Sequence, residues 1–244
     1  KIKEDYNKIL DINPDIIITC AYGQIIPKIL LDLPKHKCIN VHASLLPKYR
    51  GGAPIHASIL NDDKYTGITI MYMAEGMDDG DIINQERVKI EEDDNINTLS
   101  DKLSILGANL LLNTLPNIIN GTCKRIKQKE DEVSFAYTIK RQDEKIDFNE
   151  NYRSIYNKVR ALYNRSYFTL NGIEYKVFKV RFENKKSTIS KINNVYKDGI
   201  GIGCKDGEVV ITEFIPSGKK QMLVSSFLNG IDKTKLLGVN INEE

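Results

Sequence analysis

The sequence predicts an α/β protein in which a mostly parallel sheet is followed by a small β-barrel domain. In the first half of the chain, apolar stretches typical of buried strands alternate with helical stretches, an order that favours a parallel sheet with crossover helices. The second half carries short strands separated by Asn-Gly and Asp-Gly turns, which is compatible with an OB-like barrel. A polar, charged stretch separates the two, so we predict a first domain at 1–120, a linker at 121–145 and a second domain at 146–244.

The elements of the first domain follow from their hydrophobic patterns. A nearly unbroken apolar run predicts a strand covered on both faces, and alternation with a period of two predicts a half-buried one. The predicted strands are 15–20, 37–42, 67–73 and 82–90. A short helix is predicted at 54–61, and a longer one carries Leu99, Leu103, Leu106 and Leu110 after an N-cap at Asn97 or Thr98.

The second domain opens with a predicted helix over 152–163. Turns that suit β-hairpins follow it. They are Asn171-Gly172, Lys197-Asp198-Gly199 and Lys205-Asp206-Gly207.

Composition narrows the class of protein. The 244 residues are 41% hydrophobic and 28% charged, enough for one large core or two modest ones. No apolar run is long enough to span a bilayer, so we expect a cytoplasmic protein without a membrane partner. We also expect a monomer. The four cysteines are widely spaced and there are three histidines, so neither a metal site nor a disulfide framework is predicted.

Charge is distributed unevenly along the chain. Residues 1–120 contain 12 Lys and Arg against 17 Asp and Glu, whereas residues 121–244 contain 23 against 16, a net charge of +7. A basic module suits a polyanionic partner such as RNA. The candidate contacts are Lys124, Arg125, Lys127, Lys219 and Lys220. For the first three, a solvated linker explains the charges equally well.

The clearest chemical pattern lies where the second strand ends. Asn40 and His42 are two residues apart, so a strand places both side chains on one face, about 7 Å apart. In open α/β sheets, ligands bind beyond the carboxyl ends of the strands. An amide and an imidazole there suit a developing oxyanion, although a lone strand histidine is more often structural.

An acidic turn follows the third strand. Residues 75–81 carry four acidic side chains, Glu75, Asp78, Asp79 and Asp81. If one of them lies close to His42 at a neighbouring strand end, it orients the imidazole and favours its protonated form. The alternative is an ordinary solvated turn, since turns commonly contain Asp and Gly.

Together, the N-x-H-x-S-L-L-P motif at 40–47, with R-G-G at 50–52, and the G-M-D-D-G-D motif at 76–81 resemble the folate-dependent formyltransferases. The resemblance implies that Asn40, His42 and Asp78 form the catalytic set. It also implies a folate site lined by Ser44, Leu45, Leu46 and Pro47.

Further segments on both sides of these motifs resemble the methionyl-tRNA formyltransferases. The matching segments are 21–27, 137–140, 146–148 and 216–222. Glycinamide ribonucleotide transformylases lack such a carboxyl-terminal domain, so formyltransferases acting on an amino sugar nucleotide are the nearest alternative. A non-catalytic RNA-binding remnant is another.

The resemblance further implies a Rossmann-like first domain without its amino-terminal part, because the family's first strands have no counterpart before residue 10. We therefore expect the 244-residue chain not to be fully active. The implied reaction moves a formyl group from 10-formyltetrahydrofolate to the α-amino group of initiator methionyl-tRNA, without a metal. Asn40 would donate a hydrogen bond to the formyl oxygen, His42 would stabilise the developing charge, and Asp78 would hold His42 and move protons.

Overall fold

The structure is a computed structural model and describes residues 2–242. Its contacts divide the chain into two units. The first comprises residues 2–58, 63–92 and 97–138, and the second comprises residues 59–62, 93–96 and 139–242. The segment 121–138, predicted as part of a linker, thus belongs to the first unit.

The first unit is built on a four-stranded sheet in the order β1-β2-β3-β4. Its strands are β1 (Ile17–Cys20), β2 (Cys38–His42), β3 (Tyr65–Tyr72) and β4 (Ile82–Lys89). All four predicted strands are therefore present, with ends displaced by one or two residues.

The pairing of these strands corrects the prediction of a mostly parallel sheet. β1 and β2 are parallel, but β2 pairs with β3, and β3 with β4, in antiparallel register. A parallel neighbour requires a crossover that carries the chain back across the sheet. The connection 43–64 contains only the short helix α4 (Pro54–Leu60) and stays at the carboxyl end of β2, so β3 re-enters the sheet in the opposite direction.

Helices cover both faces of β2. Cys38 packs in an apolar cluster with Leu30 and Leu31 of α3 (Lys28–Asp32). On the other face α5 (Ile96–Ile119) approaches so closely that a Cβ added at Gly107 would lie 3.1 Å from Cγ1 of Val41. Since successive strand residues point to opposite faces, Asn40 and His42 lie on the side of Cys38.

The helix α5 buries Leu99, Leu103 and Leu110, as predicted from its pattern. It begins at Ile96, so the predicted N-cap residues Asn97 and Thr98 lie inside its first turn. The shorter elements of this unit are α1 (Ile2–Asp5), α2 (Asn7–Ile12) and the 3₁₀ turn Glu130–Glu132.

The second unit is an antiparallel sheet in the order β5-β6-β9-β8-β7, with β10 paired to β9. Its strands are β5 (Tyr167–Leu170), β6 (Ile173–Glu183), β7 (Ile192–Val195), β8 (Ile200–Cys204), β9 (Gly207–Pro216) and β10 (Met222–Leu223). Two helices, α6 (Tyr152–Ala161) and α7 (Val224–Leu228), and the 3₁₀ turns Arg141–Glu144 and Lys233–Leu236 complete it.

This sheet curls around an apolar core as a half-barrel whose edges are β5 and β7. Phe148, Phe168 and Phe214 are fully buried in that core. Asn171 and Gly172, which join β5 to β6, have φ of 50° and 74°, as a two-residue type I′ hairpin requires. A compact antiparallel β unit is thus present, while the OB-like barrel stays a prediction.

Candidate active site

Asn40, His42 and Asp78 meet at the carboxyl end of β2. The two strand residues project on one face, and Asp78 reaches them from the loop between β3 and β4. Nδ1 of His42 lies 3.6 Å from Oδ2 of Asp78, and Nδ2 of Asn40 lies 3.4 Å from Oδ1 of the same carboxylate. The structure thus brings the three predicted catalytic side chains together.

His42 is oriented by a backbone carbonyl. Its side chain is buried, and Nε2 lies 3.0 Å from the carbonyl oxygen of Tyr49. Because a carbonyl only accepts hydrogen bonds, Nε2 carries the proton of that bond. Nδ1 is therefore the nitrogen that faces Asp78.

Asp78 is held in a left-handed backbone conformation, with φ of 49°. Aspartate tolerates this region better than most residues do. Its Oδ2 accepts a hydrogen bond of 2.8 Å from the backbone N–H of Gly51, and its side chain is 20% exposed. The carboxylate is thus fixed on one side and open to a ligand or water on the other.

The amide of Asn40 is oriented from below by Thr19. The hydroxyl of Thr19 lies 3.0 Å from Oδ1 of Asn40 and donates to it. Because the hydroxyl donates to Oδ1, this oxygen of the Asn40 amide faces β1 and Nδ2 faces Asp78. An amide NH₂ has two protons, so one remains for a ligand oxygen.

Two side chains of the Ser-Leu-Leu-Pro segment, those of Ser44 and Leu46, are buried. Ser44 is fully buried and its hydroxyl donates to the carbonyl of Lys48. Leu46 is 3% exposed and packs with Met71 and Ile82. These two side chains therefore shape the loop, whereas those of Leu45 and Pro47 are only half-buried.

Two side chains that the sequence did not single out hold this loop to the sheet. Thr69 on β3 donates from its hydroxyl to the carbonyl of Ser44 at 2.6 Å and accepts from the N–H of Leu46 at 3.1 Å. Gln85 on β4 donates to the carbonyl of Leu46 at 2.8 Å. Nothing in their local sequence marks them, since both are ordinary strand residues.

The segment 126–136 is also part of the site, although it was predicted to be a linker. Ile126 and Ile82 exchange two backbone hydrogen bonds, of 2.8 and 2.9 Å. The N–H of Arg50 donates to the carbonyl of Ser134, and its carbonyl accepts from Ala136. The charged residues of this segment suggested a solvated linker. In the structure its backbone pairs as a strand does and packs on the loops around His42.

The candidate RNA contacts belong to different units. Lys124, Arg125 and Lys127 are exposed on the first unit, whereas Lys219 and Lys220 are exposed near the β9–β10 turn of the second. Arg125 is engaged locally: its Nε lies 2.9 Å from Oδ2 of Asp81, and its guanidinium lies 4.5 Å from the ring centre of Tyr72.

A thiol lies directly beneath the site but takes no part in it. Cys38 shares the face of Asn40 and His42, yet its Sγ donates to the carbonyl of Leu30 at 3.2 Å. Burial raises the pKa of this thiol to about 11. It is therefore protonated at neutral pH and is not a nucleophile there.

Two further properties concern the whole described chain. Among its described residues, no cluster of three or more His, Cys, Asp or Glu side chains is arranged to hold a metal ion. Over the same residues, no helix has the length and apolarity needed to cross a membrane.

Residues 3–115 match the formyl transferase family, and residues 138–232 match the formyl transferase C-terminal domain. The chain belongs to the formyl transferase family. The predicted resemblance is thereby confirmed, and the three side chains at the end of β2 fall within the first matched domain.

Among curated relatives, the methionyl-tRNA formyltransferase of Bacillus velezensis is 47% identical over 235 residues, which are 94% of this chain and 74% of that protein. The methionyl-tRNA formyltransferase of Bacillus subtilis is 44% identical over 247 residues, covering 98% of this chain and 78% of that protein.

Two solved structures with similar folds share less sequence identity with this chain. The N-formyltransferase of Helicobacter canadensis, in complex with folinic acid and dTDP-3-aminofucose, has a TM-score of 0.63 and 26% identity, covering 78% of this chain and 70% of that one. HypX of Aquifex aeolicus has a TM-score of 0.70 at 19% identity, covering 93% of this chain and 42% of that one, and supports the fold alone.

Proposed function

We propose that this formyltransferase transfers a formyl group to the α-amino group of initiator methionyl-tRNA and so acts in translation initiation. The observation that carries the proposal is the convergence of Asn40, His42 and Asp78 in a chain 44–48% identical to methionyl-tRNA formyltransferases. An amide donor, an imidazole and a carboxylate around one point are the groups that formyl transfer to an amine requires.

The formyl donor in this proposal is 10-formyltetrahydrofolate. The presence of folinic acid in the Helicobacter canadensis structure supports a folate at the corresponding place. The loop of Ser44, Leu45, Leu46 and Pro47 forms one wall of that place. Ser44 and Leu46, which are buried, hold its shape, and the half-buried Leu45 and Pro47 present the apolar surface against which the folate packs.

In the first step the α-amino group attacks the formyl carbon, and the carbonyl oxygen gains negative charge. The second N–H of the Asn40 amide donates to this oxygen, and His42, whose Nδ1 faces the site, stabilises the same charge. Both groups are already held in place, Asn40 by Thr19 and His42 by the carbonyl of Tyr49. Such preorganised donors lower the barrier because no reorganisation is needed during the reaction.

In the second step the tetrahedral intermediate collapses, and the bond between the formyl carbon and the folate N10 breaks. The attacking amine loses a proton and N10 gains one. Asp78, whose carboxylate is partly exposed beside His42, moves that proton directly or through one water. The products are formylmethionyl-tRNA and tetrahydrofolate.

For the nucleic acid, Lys124, Lys127, Lys219 and Lys220 are exposed and available to phosphates. Arg125 reaches a phosphate only by exchanging its contact with Asp81. Neutralising any of them weakens tRNA binding and reduces its salt dependence. The enzyme works as a cytoplasmic monomer in this proposal.

The test is formylation of initiator methionyl-tRNA by the purified chain with 10-formyltetrahydrofolate. A His42→Ala variant is compared with a His36→Ala control, whose histidine precedes β2. Activity that disappears only in the first variant supports the proposal. Formylation of an amino sugar nucleotide instead, or salt-sensitive tRNA binding without transfer, would contradict it.

A further inference from the structure

The amide of Gln128 makes three hydrogen bonds to the loops around Asp78. Its Nε2 donates to the carbonyl oxygen of Asp78 at 2.7 Å and to that of Gly80 at 2.9 Å. Its Oε1 accepts from Nε of Arg50 at 3.0 Å. The side chain therefore ties the backbone that carries Asp78 to the loop that follows β2.

The two carbonyls that accept hydrogen bonds from Gln128 belong to a tightly constrained stretch of backbone. Asp78 has a positive φ of 49°, a region that costs energy for residues other than glycine. Gly80 is buried against the carbonyl of Tyr72, where an added Cβ would lie at 1.9 Å. Two donors from one amide fix both carbonyls at once, and with them the direction of the Asp78 side chain.

Gln128 is itself held from behind. Arg50 is 5% exposed, and besides Gln128 its guanidinium contacts Glu130 at 3.1 Å. The backbone of Arg50 is bonded to Ser134 and Ala136 on the same segment. These contacts fix the orientation of the Gln128 amide.

We propose that Gln128 is a positioning residue for formyl transfer, which acts by holding the Asp78 carboxylate against His42 and Asn40. This inference rests on the proposed function, in which Asp78 takes part in the reaction. Gln128 holds the main chain of Asp78, and the N–H of Gly51 holds its side chain at 2.8 Å. Without the hydrogen bond from Gln128, the hydrogen bond from Gly51 no longer fixes where the Asp78 carboxylate lies.

Two substitutions separate this role from simple support of Arg50. Gln128→Ala removes all three hydrogen bonds. Gln128→Glu keeps the size and the acceptor for Arg50 but replaces the two donors by an oxygen that faces two carbonyls. We expect both variants to lower kcat roughly 10- to 100-fold with little change in KM, since misplacement by about 1 Å costs up to about 10²-fold.

A Gln142→Glu variant is the matched control, because Gln142 is exposed on the 3₁₀ turn of the second unit; it should retain the wild-type kcat. If Gln128→Glu is as active as the wild type while Gln128→Ala is not, the side chain supports only Arg50 and the proposal is overturned.

A double-mutant cycle with Asp78→Asn tests whether Gln128 acts through Asp78. Single-turnover rates with enzyme in excess should show little further loss when Gln128→Ala is added to Asp78→Asn, because the group being positioned has already lost its charge. Full additivity of the two losses would overturn the proposal.

A readout without activity completes the test. The amide hydrogen of Gly51 should exchange with solvent faster in Gln128→Ala than in the wild type, because its acceptor is no longer held. Unchanged exchange overturns the proposal. If the wild type formylates nothing, the proposed function fails, and the exchange rate still decides whether Gln128 holds the Asp78 loop.

Discussion

The backbone N–H of Gly51 donates a hydrogen bond of 2.8 Å to Oδ2 of Asp78. This contact joins the glycine-rich loop that follows β2 to the acidic loop that follows β3. Gly51 has φ of 115°, and an added Cβ would lie 2.8 Å from the carbonyl oxygen of Ala136. The site is therefore assembled from three segments that meet at one glycine.

Gly51→Ala should consequently damage the site more than the fold. The new Cβ would meet the backbone of the segment 134–136, and the alanine would have a φ that L-residues rarely adopt. The Gly51 N–H therefore moves away from Asp78. We expect kcat to fall at least about 10-fold with folding retained, measured by formylation and thermal unfolding. Gly218→Ala, where an added Cβ meets no atom within 4 Å, also has a positive φ and controls for backbone strain alone.

Asp78→Asn should lower kcat by about 10²- to 10⁴-fold, the range typical for a lost general acid or base. The change preserves size but removes the negative charge beside His42. Asp79→Asn is the matched control, because Asp79 is an exposed acid in the same loop. Equal losses in the two variants, measured as single-turnover rates, would show that the loop contributes charge without a specific proton carrier.

Thr19→Val tests whether the orientation of Asn40 matters. Valine has the shape of threonine but lacks the hydroxyl that donates to Oδ1 of Asn40. We expect a loss of roughly 5- to 10-fold in kcat, because one neutral hydrogen bond is worth about 1 kcal/mol, with KM for the folate unchanged. Thr122→Val, at an exposed position, should have no effect, and a Thr19→Val enzyme as fast as the wild type would refute the idea.

Alkaline pH should destabilise the chain through its buried thiols. Burial raises the pKa of Cys38 and of Cys204 to about 11 from an ordinary value of 9.0. Below pH 9 both states hold the proton and stability is fully present. Between about pH 9 and 11 the unfolded state loses its protons first, so the free energy of unfolding falls as pH rises.

Urea unfolding across pH 7–11 measures the fall in the free energy of unfolding. Alkylation at pH 8 tests which thiols are buried. Cys20, which is exposed, should react with iodoacetamide in the folded protein, whereas Cys38 and Cys204 should react only on unfolding. Rapid modification of all three in the folded state would contradict the burial on which the prediction rests.

Glu144→Gln should destabilise the second unit. Glu144 is buried, which opposes its ionisation, yet hydrogen bonds from Arg141 and Arg165 hold its pKa below the ordinary value. That stability is present above pH 4.5 and is lost as pH falls through the lowered pKa. We expect a loss of about 1–3 kcal/mol at pH 7 that shrinks towards pH 3, measured by urea unfolding beside the exposed control Glu150→Gln.

The identity of the central residues was readable from local sequence. Asn40 and His42 stand on one strand two residues apart, so alternation alone places them on one face. Asp78 lies in a turn whose composition marked it as acidic and tight. The contacts of Gln128 were not readable, because 50 residues separate it from Asp78 and its charged neighbours are typical of a solvated linker.

The sequence by itself determined the four strands of the first sheet and the helix α5, because burial on one or both faces imposes a hydrophobic pattern on these segments. It also determined the family, through short motifs whose spacing reflects one local geometry. Only the tertiary structure decided that β3 runs antiparallel to β2, that residues 126–136 close the site, and that Ser44 and Leu46 face inwards. These features depend on where a connection returns to the sheet and on contacts between distant segments, which local periodicity does not encode.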